Sequence, residues 1–92
     1  MWSPSDLLSE ATRFCYHCTT FTTAEDGIGY LEDDRSGAVL AVRQVERGYV
    51  VGRFPSTSTA CAQAPRMQGE GQDAAEVCAA ARSFMRTPKV AA

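Results

Sequence analysis

The sequence holds one lysine, one histidine and one tryptophan among 92 residues, and no apolar run approaches the roughly 18 to 20 residues that a helical bilayer crossing takes. No membrane partner is expected. Met1 to Asp6 carry no Lys or Arg, and Asp6, Ser9 and Glu10 interrupt the apolar character that follows, so no secretory leader is expected and the reading is cytoplasmic. A block of basic residues is missing as well. Eleven acids against nine bases leave a net charge of −2, and the eight arginines and one lysine are scattered among acids, which argues against nucleic acid as a partner. A phosphate loop is absent too: Gly27-Ile28-Gly29 and Gly69-Glu70-Gly71 lack its spacing and its Lys-Ser/Thr ending, and the Glu70 carboxylate would repel a phosphate. With His17 as the one histidine and no nucleophile in a strand-to-helix elbow, no catalytic residue, enzymatic activity, cofactor or metal is expected.

What the sequence does contain is enough apolar surface for one small domain. At 45% hydrophobic and 22% charged residues it is too apolar for wholesale disorder. Ser3-Pro4-Ser5-Asp6 is a helix start, with a Ser cap, Pro at the first helical position and an acid near the positive end of the dipole. Leu7, Leu8, Ala11, Phe14, Cys15 and Cys18 follow at spacings of three and four, predicting one apolar stripe that frays near Tyr16 to Cys18. Ile28–Asp33, Ala38–Val45 and Tyr49–Phe54 are β-prone runs separated by turns ending in Gly37 and Gly48, where positive φ is expected. Pro55 ends the third run, and residues 55–71 are expected to be irregular with a short helical turn near Thr59 to Gln63. Gln72 to Arg86 predicts a second long helix, stopped by Pro88, with a frayed tail over 88–92. The expected fold class is therefore α+β in the order α-β-β-β-α, a three-stranded antiparallel meander with both helices on one face and the outer face open.

Four cysteines, Cys15, Cys18, Cys61 and Cys78, are expected to be free thiols in a reducing compartment, with Cys15, Cys18 and Cys78 as small core residues. Cys15-Tyr16-His17-Cys18 resembles the active-site tetrapeptide of thioredoxin-like disulfide oxidoreductases. In that family the motif opens a helix, which favours a thiolate, whereas here it is expected to close one. A zinc site would need Cys15 and Cys18 with two further ligands from His17, Cys61 and Cys78.

The helix–three strands–helix layout resembles that of the double-stranded-RNA-binding domain, and Gly69 to Glu76 is similar to its second-helix start. Where that family carries phosphate-gripping lysines, Gln72, Asp73 and Glu76 stand here, so the resemblance does not bring RNA chemistry with it.

Glu25, Asp26, Glu32, Asp33 and Asp34 cluster around the first predicted strand, and Arg43 and Arg53 sit on neighbouring strands. The expected binding residues are Glu32, Asp33, Asp34, Arg43 and Arg53, on a charged outer sheet face that docks on a protein with a basic surface. The expected function is a small non-enzymatic protein-interaction module, an inhibitor or accessory factor that binds and occludes. Two unpaired sheet edges make a homodimer a further expectation, and 14 alanines with Arg preferred over Lys fit a bacterial or phage gene of high GC content. The alternatives are a metal-stabilised or thiol-reactive protein using Cys15 and Cys18, and a nucleic-acid-binding domain.

Overall fold

A computed structural model of the chain describes residues 2–23 and 27–86; Glu25, Asp26 and the expected tail over 88–92 lie outside the described residues. The fold is α+β. Helix α1 (Pro4–Ala11) is followed by strands β1 (Cys18–Thr22), β2 (Gly29–Asp33), β3 (Val39–Val45) and β4 (Gly48–Phe54), then by α2 (Thr57–Gln63), a 3-10 turn (Ala64–Arg66) and α3 (Ala74–Arg86). The strands form an antiparallel meander in sequence order, β1-β2-β3-β4. No described helix is long and apolar enough to cross a membrane.

α1 begins as its sequence dictates, with the Ser3 hydroxyl accepting from the Asp6 N–H at 3.2 Å and Pro4 in the first turn. It ends earlier than the apolar stripe implies. Thr12 donates its hydroxyl to the Leu8 carbonyl at 2.7 Å, taking up a C-terminal acceptor of the helix, and the chain turns there. The residues expected to close the helix instead become a loop and a fourth strand. Thr19, Thr20 and Thr22 are β-branched, and Phe21 stacks on its cross-strand partner Tyr30 with ring centroids 5.0 Å apart, so pairing with β2 outweighs helix extension.

Alternate residues along the strands divide into two cores. Leu31, Leu40, Val42 and Tyr49 pack with Leu7 and Leu8 of α1 and Val77, Ala81 and Phe84 of α3. Tyr30, Val39 and Ala41 point the other way and pack with Ala60 of α2, Ala64 and Ile28. The sheet is therefore covered on both faces. Both expectations of an open outer face and of three strands are corrected by this arrangement. Continuous burial from Val39 to Val42 is the signature of a strand enclosed on two sides. The double-stranded-RNA-binding layout fails with it, since an added strand and α2 stand where that layout has neither.

Two devices close the second half of the chain. Tyr49 exchanges backbone hydrogen bonds with Gln72 at 2.9 and 2.8 Å, joining the segment before α3 to the edge of β4. Gly48 makes this crossing possible, since its φ is 120° and any β-carbon there would collide with the Gln72 carbonyl. With Gln72 engaged in the bridge, α3 starts at Ala74 and not at Gln72. Its start is a reciprocal cap, with the Glu76 N–H donating to Asp73 Oδ1 at 2.8 Å and the Asp73 N–H donating to Glu76 Oε1 at 3.3 Å.

Candidate functional site

The loop between α1 and β1 gathers the chemistry of the molecule. Its near end is fixed by the helix terminus, where the Cys15 N–H donates to the Thr12 carbonyl at 2.9 Å. Its far end enters the sheet, where the His17 carbonyl accepts from the Asp34 N–H at 2.8 Å and Cys18 pairs with Asp33. Cys15 and Cys18 are thus anchored by different elements with their Cα atoms 5.8 Å apart, and they are joined as a disulfide. The expectation of free thiols on a helix stripe is corrected at these two positions; Cys61 and Cys78 are free. The bond encloses only the four residues of the motif, so chain-entropy stabilisation is about 2 kcal/mol and no distant elements are stapled together.

His17 lies beside this pair. Its two ring nitrogens are each 3.6 Å from Cys15 Sγ, and Nε2 is 3.3 Å from the Met85 carbonyl oxygen. Met85 is in the last turn of α3, where carbonyls have no helical partner and the dipole is negative. A carbonyl only accepts, so the ring donates to it through Nε2, while Cys15 Sγ, bound in the disulfide, offers no hydrogen to either nitrogen. The same carbonyl accepts from Arg35 Nη2 at 3.5 Å.

Arg35 in turn holds Asp33 through a two-pronged ion pair, Nε to Oδ1 and Nη2 to Oδ2, both at 3.0 Å. Asp33 is only 6% exposed. The Arg35 hydrogen bonds hold its carboxyl below the usual carboxylate value against the opposing effect of burial, and the nearby His17 adds to the lowering. The guanidinium is raised in return. A hollow of about 310 Å³ opens next to the loop, lined by Ala11, Phe14, Cys15, His17, Arg82, Met85 and Arg86. Cys15 faces it; Cys18 does not line it. Phe14 and Tyr16 flank Cys15 and project outward, 83% and 99% exposed.

The five expected binding residues do not form one surface. Glu32 is half-buried on the α2 face and accepts from Thr57 Oγ1 at 3.3 Å. Asp33 is spent on Arg35, and Asp34 is exposed and accepts from Thr19 Oγ1 at 2.8 Å. Arg43 donates to the Met67 carbonyl at 2.9 Å, while Arg53 lies 5.4 Å from the Phe84 ring. Their cross-strand partners are Val50 and Leu40, so the two arginines stand on opposite faces of the sheet, contrary to the expectation that they share one. The four-ligand zinc reading is not assembled either. Among the described residues Cys15, His17 and Cys18 are the one cluster of three metal-ligating side chains, their donor atoms within 4.8 Å of one another, and the disulfide ties up both sulfurs.

Arg35 and Met85 had no local signal in the sequence, because they reach the loop only through the β2–β3 turn and the end of α3. Phe14 had a misleading one, its spacing matching the apolar stripe that ends before it. Comparisons of the chain with protein-family models, with curated proteins and with solved structures find no match.

Proposed function

We propose that the protein is a binding module that acts by docking on and occluding another protein without chemically altering it, and that the docking element is the loop bearing Phe14 and Tyr16. The observation that carries this reading is the near-complete exposure of both rings on a loop held by the helix end, the strand and the disulfide. Large aromatic side chains presented on a fixed backbone lose little entropy on association and dominate protein interfaces. Arg82 and Arg86 border the same hollow, so the partner surface that fits is an apolar recess with acidic groups at its rim. That differs from the basic partner expected from the acid-rich run, whose members the fold separates. A cytoplasmic setting, a bacterial or phage source and pairing with a second copy along the β1 edge belong to the same proposal.

The test compares proteins retained from extracts by the wild type, by the double variant Phe14→Ser/Tyr16→Ser, and by the double charge reversal Glu32→Lys/Asp34→Lys. The reading expects a defined partner that the aromatic variant loses and the charge reversal keeps. Loss with the charge reversal and retention by the aromatic variant would move the interface to the acidic residues.

A further inference from the structure

We propose that the Cys15–Cys18 pair is a thiol–disulfide exchange site, with Cys15 as the exchanging sulfur, His17 as its proton acceptor, and small anionic thiols as its substrates. This stands on the geometry of the pair and not on the docking role of Phe14 and Tyr16, so each can fail alone. Three observations converge on it. Of the two sulfurs, Cys15 is the one that lines the hollow. Both ring nitrogens of His17 lie 3.6 Å from that sulfur, so the imidazole stands beside it. Arg82 and Arg86 line the hollow with it, and nearby cations favour the thiolate, which is the reactive form.

The charges facing the loop come from every element packed against it. Arg82 and Arg86 approach from α3, and Arg35 with Asp33 from the β2–β3 turn. Glu10 and Arg13 of α1 pair with each other at 3.6 Å. Asp33 and Arg35 offset each other, and Asp34, whose N–H bonds the His17 carbonyl, is an exposed acid at the loop, so Arg82 and Arg86 are the cations that bear on the hollow. α1 ends at Ala11 and Cys15 lies beyond it in the loop, so the motif does not close a helix as expected. An imidazolium formed at His17 is held by the Met85 carbonyl, at the negative end of α3.

The step balances without further reagents. A substrate thiolate attacks Cys15 Sγ, the Cys15–Cys18 bond breaks, and Cys18 leaves as a thiolate that takes a proton from solvent. A second substrate thiol gives its proton to His17 Nδ1 and its sulfur attacks the substrate sulfur of the mixed disulfide, releasing Cys15 as a thiolate beside the imidazolium so formed. Two thiols are oxidised to one disulfide by two electrons, and the protein disulfide is reduced to two thiols. The same steps in reverse reoxidise the pair. The apolar walls of Ala11, Phe14 and Met85 with the cations of Arg82 and Arg86 suit a thiol that carries carboxylates.

The experiment measures alkylation of Cys15 by iodoacetamide against pH in the Cys18→Ser variant, with exposed Cys61 of the same chain as internal reference. Reduced wild type, read by peptide mass, replaces the variant if that does not fold. The proposal expects the Cys15 midpoint about one unit below that of Cys61, which makes it about threefold faster at pH 7 once its lower intrinsic nucleophilicity is included. His17→Ala should bring the two midpoints together. With reduced glutathione as probe, oxidised wild type should form a mixed disulfide on Cys15, about tenfold more slowly in Arg82→Glu/Arg86→Glu at low salt. Equal midpoints for Cys15 and Cys61, or a glutathione adduct on Cys18 in place of Cys15, would overturn it. So would uptake of one Zn²⁺ per reduced chain with loss of Cys15 alkylation, which would make the cluster a metal site.

Discussion

Replacing Gly48 by Ala should damage this fold more than replacing Gly37 by Ala, which supplies the control. Both glycines have positive φ, 120° at Gly48 and 78° at Gly37. At Gly37 a β-carbon meets open space, so the cost is that of the left-handed backbone alone, about 1 to 2 kcal/mol. At Gly48 the same carbon would overlap the Gln72 carbonyl, which receives the Tyr49 N–H at 2.9 Å and whose residue returns a bond at 2.8 Å. Relieving that overlap means giving up both bonds at about 1 kcal/mol each on top of the backbone term, so about 3 to 4 kcal/mol is expected. In urea titrations followed by circular dichroism, at a slope of about 1.5 kcal/mol per molar, the midpoint should fall by about 2 M for Gly48→Ala and about 1 M for Gly37→Ala. Equal losses would mean that the Tyr49–Gln72 bridge does not hold the start of α3, and the reasoning would fail.

Ala60→Leu tests the second face of the sheet: Ala60 is fully buried against β3 and its neighbours, so overpacking should cost about 1 to 3 kcal/mol in the same titration, whereas an uncovered face would tolerate it. The Asp33–Arg35 pair should give an acid limb. Because the folded carboxyl titrates below its unfolded value of about 3.9, its contribution is complete above that pH and is lost as the pH falls through the folded value. The stability gap between wild type and Arg35→Gln should therefore be constant near neutrality and close below about pH 4; a gap unchanged in acid would contradict the ion pair. Phe14→Ser and Tyr16→Ser should each leave stability within about 0.5 kcal/mol, since neither ring is packed, and a larger loss would place them in the fold and not at an interface.

The central hairpins were legible because their signals are local. Gly37 and Gly48 mark the turns, and alternation assigns Leu40 and Val42 to one face and Val39 and Ala41 to the other, as the two cores bear out. The cap of α1 and the stripe of α3 were legible for the same reason. β1 was not: Cys18 to Thr22 is a short run whose pairing with β2 is decided by contacts such as Phe21 on Tyr30, and its Cys18 also fits a helical period. α2 was legible as the short helical turn near Thr59 to Gln63, in a segment rich in Ser and Thr; the Ser56 hydroxyl accepting from the Thr59 N–H at 3.2 Å starts it two residues earlier, and Ala60 is its buried residue. The site divided along the same line. Cys15, His17 and Cys18 stand together in sequence, but the Met85 carbonyl that orients His17 and the Arg35–Asp33 pair beside it come from elsewhere in the fold. The acid run misled because β-strand alternation sends Glu32 and Asp33 to opposite faces.

Peptide mapping of differential alkylation tests most directly the claim that the reactive site is the Cys15–Cys18 loop. Protein purified in air is labelled with iodoacetamide, then reduced with glutathione and labelled again with a heavier reagent. The account predicts Cys61 labelled in the first step and Cys15 and Cys18 labelled only in the second. Cys15 labelled at the outset, or found joined to Cys61 or Cys78, would contradict it.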